Sequence, residues 1–511
     1  MSVAVAQPLR TNAPTSRDSS RRADAACIGV IVACALVLHR DGLFGGPAFY
    51  EIDTRLFYFP LARWVGQQLQ SGHYPLWLPG IFTGYPIFAD GEMGLAYIPQ
   101  VLFLWALPTP AAMVWLRVMH TVLAGAFTYA FLKVLRLQAV PALGGALVFA
   151  FGSFLTAQMH HENVVRSAVW LPAVLACAEL GSVAESRRRF LGWTALGALT
   201  FSQSALGLHV QPVLMLALAL AGYAVYAALS TRAVQPLLGA AGIGLGGLAV
   251  AAVQWLALGE WALTSYRRAG VGYEFASAFA IAPQNLPSVL FPFFFRLPDA
   301  TTWWTLWQQW EVELYVGIPT LALMIVGVLF ARRMALLYFV PLGAIALWIA
   351  MAEYAPIFNL HALLWSVPGF SFLRAPARFS YLVVFACACL AAFGMQTLSA
   401  RGPRVLIGLV GAVPAAALLA ALLALLPTWR AVLTADPSGA PAIADAMYLS
   451  ARAQYPIDPQ LVVQGLLSSL DVATPKTAWS LALLAVTSLA FIVWLAVGVR
   501  RAVIAQAMFV G

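Results

Sequence analysis

The chain has 511 residues, of which 62% are hydrophobic and 10% are charged, and its formal net charge at pH 7 is +9. Soluble proteins carry about 25% charged residues, so this chain has too few charges to cover a surface in water, and the composition predicts a protein embedded in lipid. Its positive charges lie in short clusters between apolar runs, without the basic patch and interleaved aromatic residues that a nucleic-acid partner would need.

Apolar runs recur along nearly the whole chain. A helix that crosses a membrane needs about 20 apolar residues, and on that basis about twelve spans are predicted. They cover residues 24–40, 111–132, 139–157, 168–183, 190–205, 211–230, 236–262, 314–331, 334–352, 379–398, 403–427 and 477–499. The predicted fold class is therefore all-α, a polytopic transmembrane helical bundle with long extracytoplasmic loops and interfacial helices.

The short connections between these spans are basic. They contain Lys133 and Arg136, Arg187–Arg189, Arg232, Arg332 and Arg333, Arg401 and Arg404, and Arg500 and Arg501. If the N-terminus is cytoplasmic, every one of these clusters falls on the cytoplasmic side, as the positive-inside rule requires. The long connections and most carboxylates then lie outside, which predicts cytoplasmic termini and an extracytoplasmic working face.

Three regions follow from this topology. Residues 1–23 are predicted to be a cytoplasmic tail before an uncleaved first span. Residues 24–400 form the main membrane domain with outer loops 41–110, 264–313 and 353–378, and residues 401–511 add C-terminal spans with outer loop 428–476. The five cysteines all fall inside predicted spans, without metal-ligand partners nearby, so neither a disulfide nor a zinc site is predicted.

The first outer loop holds the densest polar segment. Glu51 and Asp53 lie two positions apart in a stretch predicted to be non-helical, and an amphipathic interfacial helix is predicted after Pro60. Asp90 and Glu92 follow in a glycine-containing turn, where they can bind sugar hydroxyls, assist a base or help to ligate a divalent cation. Ordinary turn chemistry explains this acidic pair as well.

Two further groups lie in later outer segments. His160, His161, Glu162 and Arg166 occupy a short turn and are candidates for phosphate or sugar binding, although a solvent-exposed turn fits equally well. Adjacent histidines on a helix cannot both face one point, so no metal site is predicted there. A tryptophan-rich segment predicts an interfacial helix or a sugar platform gated by Glu311 and Glu313; it contains Trp303, Trp304, Trp307 and Trp310.

Arg374 and Arg378 are the candidates for binding a phosphate. They flank Pro376 where the tenth predicted span begins, and guanidinium groups beside a helix N-terminus suit phosphate oxygens. Snorkelling toward lipid headgroups is the alternative.

Several segments together resemble a known family. They are "SGHYPLWLPGIFTGYPIFAD" at 71–90, "YIP" at 97–99, "HHENVVRSAVWLP" at 160–172, "EVELYVGIPTLAL" at 311–323 and "PGFSFLRAPARFSYL" at 368–382. With an acidic residue in the first outer loop, this order is similar to the bacterial YfhO-like branch of the GT-C glycosyltransferases. The resemblance covers about residues 25–400.

The resemblance implies a multispanning enzyme of the bacterial inner membrane that moves a sugar from a polyprenyl-phosphate donor to a glycan or lipid acceptor outside the cytoplasm. It implies Asp53 as the catalytic base, with Glu51 as the runner-up. Substrate binding then falls to Asp90, Glu92, His160, His161, Arg166, Glu311, Glu313, Arg374 and Arg378.

Two alternatives are a secondary transporter and a non-catalytic protein of envelope assembly. Twelve spans with both termini inside are a common transporter plan, but transporters place polar sites near the midplane in repeated halves. Here the span interiors are nearly free of charge apart from Arg117 and His120, and the two halves show no repeat.

Overall fold

The computed structural model describes residues 17–46, 51–296, 303–331, 334–367, 369–400, 417, 420–421, 424–435, 438–448, 457–489 and 493. Over these ranges the chain is 77% helical, and its only β-structure consists of isolated bridges that join Leu78 to Tyr85 and Arg296 to Trp303, so the all-α class is confirmed. The longer helices are α1 (Arg17–Leu38), α2 (Phe59–Gln70), α3 (Ile98–Ala106), α4 (Thr109–Val134), α5 (Ala139–Ala150), α6 (Leu171–Ser182), α7 (Arg187–Leu206), α8 (Val210–Thr231), α9 (Gln235–Val250), α10 (Ala252–Thr264), α11 (Ile318–Phe330), α12 (Val340–Met351), α13 (Ser380–Ala400), α14 (Gly439–Tyr448) and α15 (Pro459–Ser469). Shorter helical segments are Arg40–Leu43, Thr54–Tyr58, Ile87–Asp90, Ser153–Ala157, Gln158–His160, Glu162–Ala168, Tyr266–Ala269, Tyr273–Ala276, Pro283–Val289, Gln309–Val312, Ala335–Phe339, Ala352–Tyr354, Leu360–Trp365, Phe370–Phe372 and Pro376–Phe379.

Within the described ranges, six helical stretches are long and apolar enough to cross a membrane. They are Thr109–Val134, Ala139–His160, Glu162–Ser182, Val210–Thr231, Leu336–Tyr354 and Pro376–Ser399. A seventh crossing is added if α9 and α10, which are bent by 71°, form one span, so the uninterrupted span predicted over 236–262 is corrected. The first helix begins at Arg17, inside the predicted tail. The predicted spans 403–427 and 477–499 lie partly outside the described residues, and the count of about twelve stays a prediction.

The basic connection after α4 and the first outer loop lie at opposite ends of the bundle. At one end, Lys133 pairs with Asp24 at 3.3 Å, and the Gln235 side chain donates to backbone carbonyls of the turn that follows α6. At the other end, Asp53 contacts His161, and this is the end where α4 begins. The connection after α4 is therefore separated from Asp53, whereas Arg332, Arg333, Arg401, Arg404, Arg500 and Arg501 lie outside the described residues, and the topology as a whole stays a prediction.

Asp53 is helical, which corrects the non-helical stretch predicted there, whereas Glu51 lies in a bend just before the helix. Asp53 has α-helical torsions (φ −67°, ψ −39°), and a π-helical turn, Thr54–Tyr58, leads directly into α2. Pro60 cannot donate a hydrogen bond, and its ring crowds the preceding turn. A wider π turn lets the helix continue through the proline, and such turns are frequent at functional sites.

The tryptophan-rich segment does not form the predicted interfacial helix. Only Gln309–Val312 is helical there, so the tryptophans do not share one helical face. Trp304 is fully buried with its ring centroid 5.0 Å from that of Phe295, and Trp307 lies 4.6 Å from Phe279. These two rings therefore pack inside the protein rather than against lipid.

Helices α11 and α13 approach each other closely through two glycines. A Cβ atom added at Gly394 would lie 1.9 Å from the Leu323 carbonyl oxygen, and one at Gly327 would lie 2.1 Å from the Leu390 carbonyl oxygen. Small residues let backbones meet in this way when helices associate inside a membrane. This contact holds α13, whose N-terminal extension carries Arg378, against the rest of the bundle.

We expect Gly394→Ala to lower the apparent unfolding temperature in detergent, because the added methyl group forces the two backbones apart at a cost of about 1–3 kcal/mol. Intrinsic tryptophan fluorescence during heating measures the change. Gly244→Ala is the matched control, since a Cβ there meets no atom within 4 Å, and it should leave the unfolding temperature unchanged or slightly raised. Equal unfolding temperatures for the two variants would contradict the close approach.

Candidate active site

A cavity of about 430 Å³ opens at the end of the bundle that carries the first outer loop. It is lined by Asp53, Phe57, Tyr58, Tyr85, Asp90, Glu92, His161, Asn163, Val164, His209 and Arg378. Five of these residues were predicted from the sequence as site residues: Asp53, Asp90, Glu92, His161 and Arg378. The fold thus brings residues from distant segments of the chain to one wall.

Asp53 presents a half-exposed carboxylate to the cavity. Its Oδ2 atom lies 2.9 Å from Nε2 of His161, and 46% of the side chain is exposed. The contact with His161 lowers the pKa of Asp53 and outweighs the opposite effect of partial burial. The carboxylate is therefore ionised at neutral pH.

His160 and His161 lie closer together than the sequence predicts. Their ring centroids are 4.0 Å apart. One ring nitrogen of each histidine and one carboxylate oxygen of Asp53 all lie within 4.8 Å of one another. The two histidines are not on one helix, although the prediction from the sequence assumed one, because the helical turn ends at His160 and His161 has non-helical torsions (φ −94°, ψ 78°). This turn is not solvent-exposed either, since His160 is only 4% exposed.

Arg378 lies on the cavity wall, but its positive charge is already neutralised by a carboxylate. Its guanidinium forms a bidentate pair with Glu311, with Nη2–Oε1 at 2.6 Å and Nε–Oε2 at 2.9 Å, and its Nη1 donates to Nε2 of His209 at 3.0 Å. Burial alone would raise the pKa of Glu311, but the neighbouring guanidinium outweighs burial and lowers it. Glu311 is thus an ionised partner of Arg378, and the gating role that the sequence offers as one alternative stays a prediction.

Glu92 lies in an environment unlike that of Asp53. Its Oε2 atom accepts hydrogen bonds from Tyr58 at 3.0 Å and from Asn163 at 2.6 Å. Burial and the neighbouring charge of Asp90 raise the pKa of Glu92 to about 7, and burial also raises the pKa of Asp90. A carboxyl group that titrates near neutral pH is suited to proton transfer.

A layer of buried charges supports the cavity from behind. Arg166, which is 1% exposed, donates to the backbone carbonyls of Glu92 and Gly207 at 2.9 Å each. Arg117 lies 3.5 Å from Glu162 and donates to Thr54 in the π turn at 3.0 Å. Arg166 therefore holds the 91–94 turn and Arg117 holds the Asp53 segment, while neither lines the cavity.

The other predicted residues lie outside the wall. Glu51 does not line the cavity, and Arg374 lies with its guanidinium carbon 4.6 Å from the ring centroids of Phe275 and Phe279. Ala375 has left-handed torsions (φ +62°), so the chain turns between the two arginines and directs them differently. Glu313 is buried and accepts from Gln309 and from the backbone of its own segment.

Glu313 should make stability depend on pH. Burial raises the pKa of Glu313 to about 8, so between about pH 4.5 and 8 the folded chain holds a proton that the unfolded chain releases. Stability must fall as pH rises through this window, by at most about 1.4 kcal/mol per pH unit. We expect Glu313→Gln to remove that decline, so that the variant gains unfolding temperature over the wild type toward pH 8. The exposed Glu185→Gln variant should show no such trend, and parallel profiles for Glu313→Gln and wild type would contradict the assignment.

Sequence reasoning missed several wall residues. Tyr58 and Asn163 hold Glu92, and His209 contacts Arg378. Asn163 lies within the quoted "HHEN" segment, and His209 is an ionisable residue in a short outer connection, so the sequence contained a signal that could have identified both. The sequence contained no signal for Gln158, which lies outside the wall, because its role depends on contacts with Trp310 and Glu311 far along the chain.

Comparison of the chain with protein-family models, with curated proteins and with solved structures gives no match. The cavity and its surroundings are therefore the basis for a functional proposal.

Proposed function

We propose that the chain is an integral membrane glycosyltransferase of the GT-C type, which moves a sugar from a polyprenyl-phosphate donor to an acceptor at the extracytoplasmic face. The observation that supports this proposal best is the cavity wall, which combines carboxylates, a guanidinium and aromatic rings beside the long loops. Its volume of about 430 Å³ falls in the range of small-molecule sites.

Sugar transfer needs a carboxylate that takes the acceptor proton. Asp53 has the position that the family resemblance implies for the base, and it is ionised at neutral pH. Glu92, whose pKa is raised to about 7, is a second carboxylate on the same wall. Two carboxylates in environments that push their pKa values apart are a common arrangement in acid–base catalysis.

The surroundings also suit a lipid-linked sugar. The wall offers the rings of Phe57 and Tyr85, and aromatic faces pack well against sugar rings. The centroid of the Tyr85 ring lies 6.1 Å from that of Trp261 on α10, and the side chains of Leu256 and Leu263 on α10 are exposed. An apolar helix beside the cavity supplies a surface along which a prenyl chain can lie.

A secondary transporter is the competing function, because the bend between α9 and α10 is a feature that transporters share. Transporter sites lie near the bilayer midplane, whereas this cavity lies at the ends of the helices. Profiling lipids and glycans of a deletion strain separates the two functions. A glycosyltransferase predicts accumulation of a polyprenyl-phosphate sugar and an envelope glycan that lacks one sugar, while solute uptake with unchanged glycans would favour transport.

A further inference from the structure

We propose that Asp53, His160 and His161 bind one divalent transition-metal ion, Zn²⁺ or Mn²⁺, whose open positions face the cavity. The three side chains offer two imidazole nitrogens and one carboxylate oxygen within 4.8 Å of one another. That the ion takes a phosphate oxygen of the sugar donor rests on the proposed function, whereas the metal site itself does not.

Gln158 decides which nitrogen of His161 carries a proton. The amide nitrogen of Gln158 donates to the Trp310 carbonyl at 2.8 Å and to Glu311 at 3.3 Å, so its oxygen faces Nδ1 of His161, at 2.6 Å. An amide oxygen only accepts, hence Nδ1 holds the hydrogen, and Nε2 of a neutral ring holds a lone pair. Such a fixed outer contact is how metal-binding histidines are usually oriented.

The Nε2 lone pair of His161 then faces another acceptor. It lies 2.9 Å from Oδ2 of Asp53, and two acceptors at this distance need either a second proton on the ring or a cation shared between them. The surroundings of His160 favour the shared cation over a second proton on His161. Its Nε2 atom is buried and has no hydrogen-bond partner in the described part of the chain, which is costly in a protein interior. A proton on His161 leaves His160 unchanged, whereas a metal ion can bind a ring nitrogen of each histidine together with the carboxylate of Asp53.

The charges around the cavity point to the same conclusion. Asp53, Asp90 and Glu92 line the wall, and the guanidinium of Arg378 is neutralised by Glu311. A phosphate-linked donor would therefore meet a wall without surplus positive charge, and like charges repel strongly where water is partly excluded. A divalent ion at Asp53 supplies the missing positive charge beside the leaving phosphate.

The ligand types restrict which ion fits. The imidazole nitrogens suit Zn²⁺ and the carboxylate oxygen also suits Mn²⁺, while Mg²⁺ and Ca²⁺ prefer sites made of oxygen ligands. Three protein ligands leave a position for substrate, as in catalytic sites. With Asp53 bound to the metal, the base is Glu92 instead of Asp53, and Glu92 takes the acceptor proton. The acceptor oxygen bonds to C1 of the sugar, and the C1–O bond breaks with its electron pair staying on the polyprenyl phosphate.

The test uses full-length protein purified in detergent without a histidine tag, stripped with a chelator and titrated with Zn²⁺ or Mn²⁺ alone. Mass spectrometry of the metal after gel filtration should find one ion per chain in the wild type. Asp53→Asn, His160→Ala and His161→Ala should each lose at least about tenfold in affinity, as expected when a ligand is removed. His73→Ala, which alters an exposed histidine of the first outer loop, is the matched control and should bind normally.

Two results would overturn the metal site: a wild type that binds neither ion, or unchanged binding in both histidine variants. His161→Gln keeps a polar side chain, so lost binding at an unchanged unfolding temperature separates ligation from misfolding. The titration contains no sugar donor. Bound metal without sugar transfer therefore keeps the site and removes the proposed function, whereas full transfer by metal-free protein keeps the function and removes the role of the ion in holding the donor phosphate.

Discussion

Replacing Asp53 with asparagine is expected to lower sugar transfer by about 100-fold or more while the protein still folds in membranes. The amide keeps the shape of the side chain but loses the charge that orients the acceptor or binds the cation, and such groups contribute roughly 100-fold to 10,000-fold to rates. Nearly half of the side chain is exposed, so folding should tolerate the change. Transfer of labelled sugar from a polyprenyl-phosphate donor by purified protein measures the effect.

Asp41→Asn is a suitable control for this experiment. Asp41 is predicted to lie in the same outer loop, its side chain is 66% exposed, and it pairs with the neighbouring Arg40 outside the cavity. We expect transfer by this variant to match the wild type. Wild-type transfer by the Asp53→Asn protein, together with normal gel filtration, would remove Asp53 from the chemistry and direct attention to Glu92.

The sequence predicted the location of the site better than the contacts between its residues. Asp53, Asp90, Glu92, His161 and Arg378 all fall in outer segments, and topology alone predicts that outer segments meet at one end of a bundle. The positive-inside pattern is a sum over many residues, so it survives errors in any single span. This explains why the end of the bundle could be predicted although the boundaries of several spans could not.

The details that could not be predicted depend on single backbone torsions and on distant partners. The left-handed turn at Ala375 separates Arg374 from Arg378, and the end of the helical turn at His160 lets both histidines approach Asp53. Neither feature changes the hydrophobic pattern. The partner of Arg378 is Glu311, 67 residues earlier in the chain, and spacing along the sequence contains no information about that contact.

The ion pair between Arg378 and Glu311 should show strong coupling in a double-mutant cycle. The Glu311 side chain is 3% exposed, so Arg378→Met leaves a buried carboxylate without its guanidinium, and Glu311→Gln leaves the guanidinium without its carboxylate. Removing one member of a buried pair costs about 3–5 kcal/mol, while replacing both members is often nearly neutral. Each single variant should therefore unfold well below the wild type, and the double variant should recover most of the loss. Sugar transfer should stay low in the double variant, because the cavity has lost its guanidinium.

The pair between Arg430 and Asp471 provides the matched control for this cycle. Its N–O distance is 3.0 Å, but 47% of the arginine side chain is exposed. Exposed pairs contribute less than about 1 kcal/mol, because water screens the charges in both the folded and the unfolded chain. Arg430→Met should therefore change the unfolding temperature little. If the losses in the Arg378 and Glu311 single variants simply added in the double variant, the two side chains would not be coupled, and Arg378 would have to be regarded as free to bind a phosphate directly.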